Sequence, residues 1–120
     1  MVELATKHRR DTLSKEDPTG WCVVGGVPRS TAVPYPFKIL NTNGMVVILY
    51  EAVHSFRQIF TDGRPLPKDP NPQWFGYSIG KWIDADSDGR FDLLEIETRN
   101  LKGPRAFDAS GIPLHADNQT

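Results

Sequence analysis

From Tyr35 onward, apolar residues recur at period two between turn signals, which is the pattern of β-strands. Phe37-Lys38-Ile39-Leu40 alternates and leads into Asn43-Gly44. Asn and Gly both accept positive φ, so this dipeptide predicts a tight hairpin. Met45 to Tyr50 follows, rich in β-branched residues and without a helical stripe. Residues 55–61 predict the next strand, with Phe56 and Phe60 on one face and Arg57 and Ile59 on the other. Asp62-Gly63 closes it. Trp74 to Ile83 and Phe91 to Thr98 are two further strands. In the first of these, Phe75, Tyr77 and Ile79 share a face. Gly76, Ser78 and Gly80 share the other, with Trp74 and Trp82 at its ends, so backbone or ligand approaches that small-residue face closely.

The remaining segments interrupt the pattern. Four prolines between Arg64 and Pro72 forbid ladder pairing and predict a stiff, extended loop. Asp17-Pro18, Gly20, Gly25-Gly26, Pro28 and Pro34 make residues 1–34 irregular, apart from one short helix over Leu4 to Leu13. That segment is expected to drape over the core. Gly103-Pro104 and Gly111-Ile112-Pro113 return 103–120 to loop and tail. The expected fold is therefore all-β: an antiparallel meander over 35–102, forming a sheet or partial barrel. Such a meander exposes two edges and one apolar face. The N-terminal segment, a second copy in a homodimer, or further C-terminal strands would cover them.

Composition narrows the function classes. With 38 % hydrophobic and 24 % charged residues, the 120-residue chain suits one soluble domain with a modest core. A net charge of −1 and no tracking run of Lys and Arg exclude a nucleic-acid surface. His8-Arg9-Arg10 reads as a solvated arm. The longest apolar run, Met45 to Tyr50, is far short of the roughly 20 residues a membrane helix needs. The one cysteine, Cys22, rules out an internal disulfide and reads as a small buried hydrophobe. The sequence has no phosphate-binding Gly-rich loop, nucleophile elbow or His-x-x-x-His zinc pair.

The sharpest motif lies between the last two strands. Asp84-Ala85-Asp86-Ser87-Asp88-Gly89-Arg90-Phe91-Asp92-Leu93-Leu94-Glu95 matches D-x-D-x-D-G-x5-E in full. Calcium takes six to eight oxygens at roughly 2.3 to 2.6 Å. Asp84, Asp86 and Asp88 converge on one point, and Gly89 permits the sharp turn. Arg90 offers its carbonyl, and Asp92 ligates directly or through water. Without a cation the carboxylates repel one another. A helix–loop–helix usually hosts this loop, but period two and Gly76 and Gly80 argue against helices here. The shorter pattern D-x-D-x-D-G-x-x-D-L is similar to calcium loops in the β-hairpins of integrin-type propeller repeats. There Asp92 is the ninth-position ligand, which leaves the role of Glu95 open.

Other chemistry is less defined. On an extended chain Tyr50 and His54 share a face, where they can serve as general acid and base, with Arg57 as an anion-binding group. Trp74, Tyr77 and Trp82 are candidates for lining an apolar pocket.

Several stretches resemble a family of uncharacterised bacterial proteins common in soil acidobacteria and proteobacteria. They are Pro34-Tyr35-Pro36-Phe37-Lys38-Ile39, Leu49-Tyr50-Glu51-Ala52, Arg57 to Pro67 and Trp74 to Trp82. The resemblance runs from about Pro28 to Ile112. It implies a periplasmic or secreted home and further strand-like sequence beyond this chain, and it is nearly silent on activity. It also implies that the acidic loop elaborates a shorter Glu-Gly-Asp turn. The Gly-x-Trp strand with its following hairpin is similar to calycin-type barrels, which hold small apolar ligands. The expected role is binding of a small apolar ligand, with calcium bracing the hairpin. The alternatives are a lyase or isomerase using His54, Tyr50 and Arg57, and a structural module that assembles through its sheet edges.

Overall fold

The computed structural model describes residues 2–12, 15, 17–103, 105–106 and 113–114. The fold is all-β, built on one open sheet of five strands in the order β1-β2-β3-β4-β5. These are β1 (Phe37–Thr42), β2 (Met45–Tyr50), β3 (Ser55–Phe60), β4 (Tyr77–Ile83) and β5 (Leu93–Arg99). A helix α1 (Val2–Thr12) and a short turn of helix α2 (Arg29–Ala32) precede the sheet. β6 (Arg105–Ala106) and β7 (Pro113–Leu114) form a small antiparallel ladder inside the region expected to be loop.

Local chemistry explains the two hairpins at the start of the sheet. Asn43-Gly44 joins β1 to β2 in the register Thr42↔Met45 to Phe37↔Tyr50, with Gly44 at φ +76°. β2 and β3 pair from Met45↔Phe60 to Tyr50↔Ser55, which leaves residues 51–54 as a four-residue loop. That loop makes a 3₁₀ turn, Ala52–His54, and its last two residues sit at φ +57° (Val53) and +44° (His54). On an extended chain Tyr50 and His54 would share a face. The turn removes His54 from the ladder, and Tyr50 instead shares its face with Ser55 and Arg57.

The meander is not antiparallel throughout. β3 and β4 pair in parallel, at Ile59↔Ser78 and Phe60↔Ile79. The proline-rich segment 61–76 is the cause. It is longer than the roughly dozen residues a parallel connection requires, and its stiffness carries the chain back to the end where β3 began. β4 and β5 then pair antiparallel from Tyr77↔Arg99 to Ile83↔Leu93. β1 and β5 are left as free edges, so the sheet does not close into a barrel.

One face of the sheet forms the core. Val46, Tyr50, Arg57, Ile59, Ser78 and Thr98 all point into it and are buried. Burying side chains of this size contributes about 1.5 to 3 kcal/mol each for the apolar ones. The small residues of β4 face that core as expected, and what approaches them is protein. A Cβ at Gly80 would stand 2.8 Å from Ile59 Cγ2 and 3.1 Å from Leu94 Cδ1. The irregular N-terminal segment covers this face: Val27, Arg29 and Ser30 are buried, and Thr31 Oγ1 lies 3.3 Å from the Tyr50 hydroxyl. Arg105 fastens the segment by donating from Nη1 to the Val27 carbonyl at 2.8 Å. Arg29 and Asp17 tie it to itself through two hydrogen bonds, at 2.6 and 2.9 Å. Cys22 is exposed, contrary to its expected burial, because it sits at φ +60° in a surface turn. No helix among the described residues is long and apolar enough to cross a membrane.

Candidate functional site

Three groupings carry chemistry, and β4 connects them. The first is the hairpin loop 84–92 at its C-terminal end. Carboxylate oxygens of Asp84, Asp86 and Asp88 lie within 4.8 Å of one another. Oxygens bound to one calcium at roughly 2.3 to 2.6 Å lie at most about 5 Å apart, so this trio can hold a metal ion. The loop's own backbone orients it. Asp88 N–H donates to Asp84 Oδ1 at 3.1 Å and to Asp86 Oδ1 at 3.2 Å. Gly89 N–H donates to Asp84 Oδ2 at 2.9 Å, and Arg90 N–H to Asp88 Oδ1 at 2.8 Å. Asp92 stands outside the trio and accepts from Ala85 N–H at 3.0 Å, which clamps the base of the loop. Glu95 is further away still. It sits on β5 opposite Lys81, two ladder positions inside the hairpin.

The second grouping is a buried polar cluster on the core face. Arg57 is only 8 % exposed. Its Nε donates to Ser78 Oγ at 3.3 Å and its Nη2 to Thr98 Oγ1 at 2.6 Å. The two hydroxyls lie 3.0 Å apart. Burial pulls the Arg57 pKa below its ordinary value, against the Tyr50 hydroxyl beside it, which pushes it up. Among the described residues no carboxylate pairs with this guanidinium. Tyr50 is stacked on Phe75, with ring centroids 5.7 Å apart. Of the three residues with candidate acid–base or anion-binding roles, Tyr50 and Arg57 therefore meet. His54 lies apart, on the 3₁₀ turn.

The third grouping is a cleft of about 570 Å³ at the N-terminal end of β4. It exists because the parallel ladder is short. Between Ser55 and Gln58, β3 has no partner on the β4 side, while residues 73–76 turn away before β4 begins. Gly76 makes that turn at φ +61°, with room for a Cβ denied by Arg99 O at 2.5 Å. Phe56, Phe60, Trp74 and Tyr77 wall the cleft, and His54 and Lys102 reach it. The Phe60 and Tyr77 rings stack at 5.3 Å across the two strands. Phe56 is 56 % exposed and presents an open ring.

Two of the three ligand candidates, Trp74 and Tyr77, thus meet in one cleft. Trp82 does not join them. It lines a separate hollow near the acidic hairpin, with Phe91 and Lys81. Lys102, Ser78 and Thr98 were not singled out in the sequence. A lone Lys, Ser or Thr carries no local signal, and pairings across segments bring each to its place.

The architecture defines an open, mixed β-sheet module with a side cleft and an acidic hairpin. No family model, curated protein or solved structure matches the chain.

Proposed function

We propose that the protein is a binding module that takes a small, planar, largely apolar ligand into the cleft between β3 and β4. A calcium ion braces the hairpin 84–92 in this reading and has no part in chemistry. One observation carries it: five aromatic residues, Phe56, Phe60, Trp74, Phe75 and Tyr77, line an opening whose volume is within the range typical of small-molecule sites. Calcium is the cation of choice because the trio offers only hard carboxylate oxygens on an exposed loop. Such a site suits weak affinity and a calcium-rich setting. That agrees with the periplasmic or secreted home implied by the family resemblance.

The cleft is tested with a neutral fluorescent probe, N-phenyl-1-naphthylamine. Saturable micromolar binding is expected, weakened at least tenfold by Phe56→Ala or Trp74→Ala. Phe56 is exposed enough that its loss leaves the fold intact. Binding that is absent, or indifferent to both substitutions, removes the proposal. For calcium, a concentration ten times Kd should stabilise the protein by about 1.4 kcal/mol. Asp86→Asn should abolish that gain. Calorimetry without heat and an unchanged Tm at millimolar calcium would reject the ion.

A further inference from the structure

The cleft has a charge character that its aromatic walls do not explain. Among the described residues lining it, none is acidic, while Lys102 and His54 both face it. Lys102 Nζ stands 5.3 Å from the centre of the Trp74 ring and, among the described residues, makes no ion pair. Arg57 lies one hydroxyl behind the wall: its Nε bonds Ser78 Oγ, and Ser78 lines the cleft. Three other arginines find carboxylates. Arg29 holds Asp17, Arg64 holds Asp62 and Arg99 holds Glu97. Among the described residues none supplies Lys102 or Arg57 with a counter-charge. Lys102 is exposed and keeps its water, while Arg57 is buried, where an uncompensated cation is costly.

We infer that the cleft selects an anion: a small aromatic or planar carboxylate, its ring against Trp74 and Phe56 and its charge toward Lys102. This rests on the cleft being the binding site. A carboxylate reaching Lys102 replaces water around an amine already held against an aromatic face. Gln58 and Gln73 also line the cleft, and their side-chain amides carry further hydrogen-bond donors. The positive potential of Arg57 adds to the same preference without touching the ligand.

The experiment compares 2-naphthoate with the neutral 2-naphthamide, titrated by tryptophan fluorescence at pH 7.5 in low salt. The naphthoate is expected to bind about fivefold tighter, as one charge pair at the water-exposed Lys102 allows. Lys102→Met should bring that ratio to about twofold, and Lys102→Glu should invert it. Salt at 0.5 M should shrink it, since screening then acts within a few ångströms. Equal affinities for the two compounds, or a ratio indifferent to Lys102, overturn the inference and leave the cleft standing. Failure of both compounds to bind overturns the inference and the cleft together.

Discussion

β4 faces a different charge problem at each of its ends. Past Ile83, four aspartates crowd one turn in the open, with Phe91 beside them 70 % exposed. Water and the loop's own N–H groups reach these carboxylates, so the crowding is tolerable and a cation can relieve it. Near Tyr77, the positive group is Arg57, buried beneath the N-terminal segment and held by hydroxyls alone. Among the described residues no carboxylate reaches it, and little solvent does. The exposed end offers a site for an ion. The buried end is held by hydrogen bonds across three strands beside the cleft.

The same glycine substitution at the two ends should separate them most. Gly76→Ala places a Cβ 2.5 Å from Arg99 O and 2.8 Å from Thr98 Cγ2, at positive φ. We expect it to cost more than about 3 kcal/mol, or to prevent folding. Gly89→Ala, at φ +87° with nothing within 4 Å, should cost only about 1 to 2 kcal/mol. Thermal melts of the two variants read the difference, and equal losses would erase the contrast.

Removing one hydroxyl probes the buried end directly. Thr98→Val keeps the shape and takes the acceptor from Arg57 Nη2. The loss should be about 2 to 3 kcal/mol, as for a hydrogen bond to a buried charge. Asp92→Asn in the exposed loop, without calcium, should stay near 0.5 kcal/mol by urea denaturation.

The cover over the buried end is acid-sensitive. The hydrogen bond from Arg29 leads the effects that push Asp17 from 3.8 down to about 2. The unfolded chain therefore binds this proton first. The pair's contribution, about 2 kcal/mol, is complete above the ordinary carboxylate pKa and is lost as pH falls from near 4 to 2. Asp17→Asn should flatten that part of the stability profile. An unchanged slope would mean that the pair does not hold the segment down.

The smallest effect should be a gain. Val53 is β-branched and sits at φ +57°, where such residues are strained. Val53→Gly should stabilise by roughly 1 kcal/mol. A loss instead would show that its side chain, at the rim of the cleft, contributes packing that outweighs the strain.

Much of the fold was legible because its signals are local. Asn43-Gly44 predicted the first hairpin, and period two placed the faces of β3 and of β4 from Tyr77 onward, whereas Trp74 to Gly76, expected as strand, form a turn that carries Phe75 to the Tyr50 side of the sheet. Two errors share one origin. The parallel pairing of β3 with β4 follows from how far residues 61–76 travel, which no residue pattern reports. The separation of His54 from the Tyr50 face follows from the Tyr50↔Ser55 pairing, which turns residues 51–54 into a loop.

The acidic hairpin belongs to the sequence alone. Its ligating groups are neighbours in the chain, so their spacing decides that their charges meet wherever the hairpin lies. The cleft belongs to the tertiary structure. Its rings and its cation come from β3, from residues 73–77 and from Lys102, and only the short parallel ladder brings them together. Burial of Arg57 was decided in the same way, because desolvation depends on what packs over a residue and not on its neighbours along the chain.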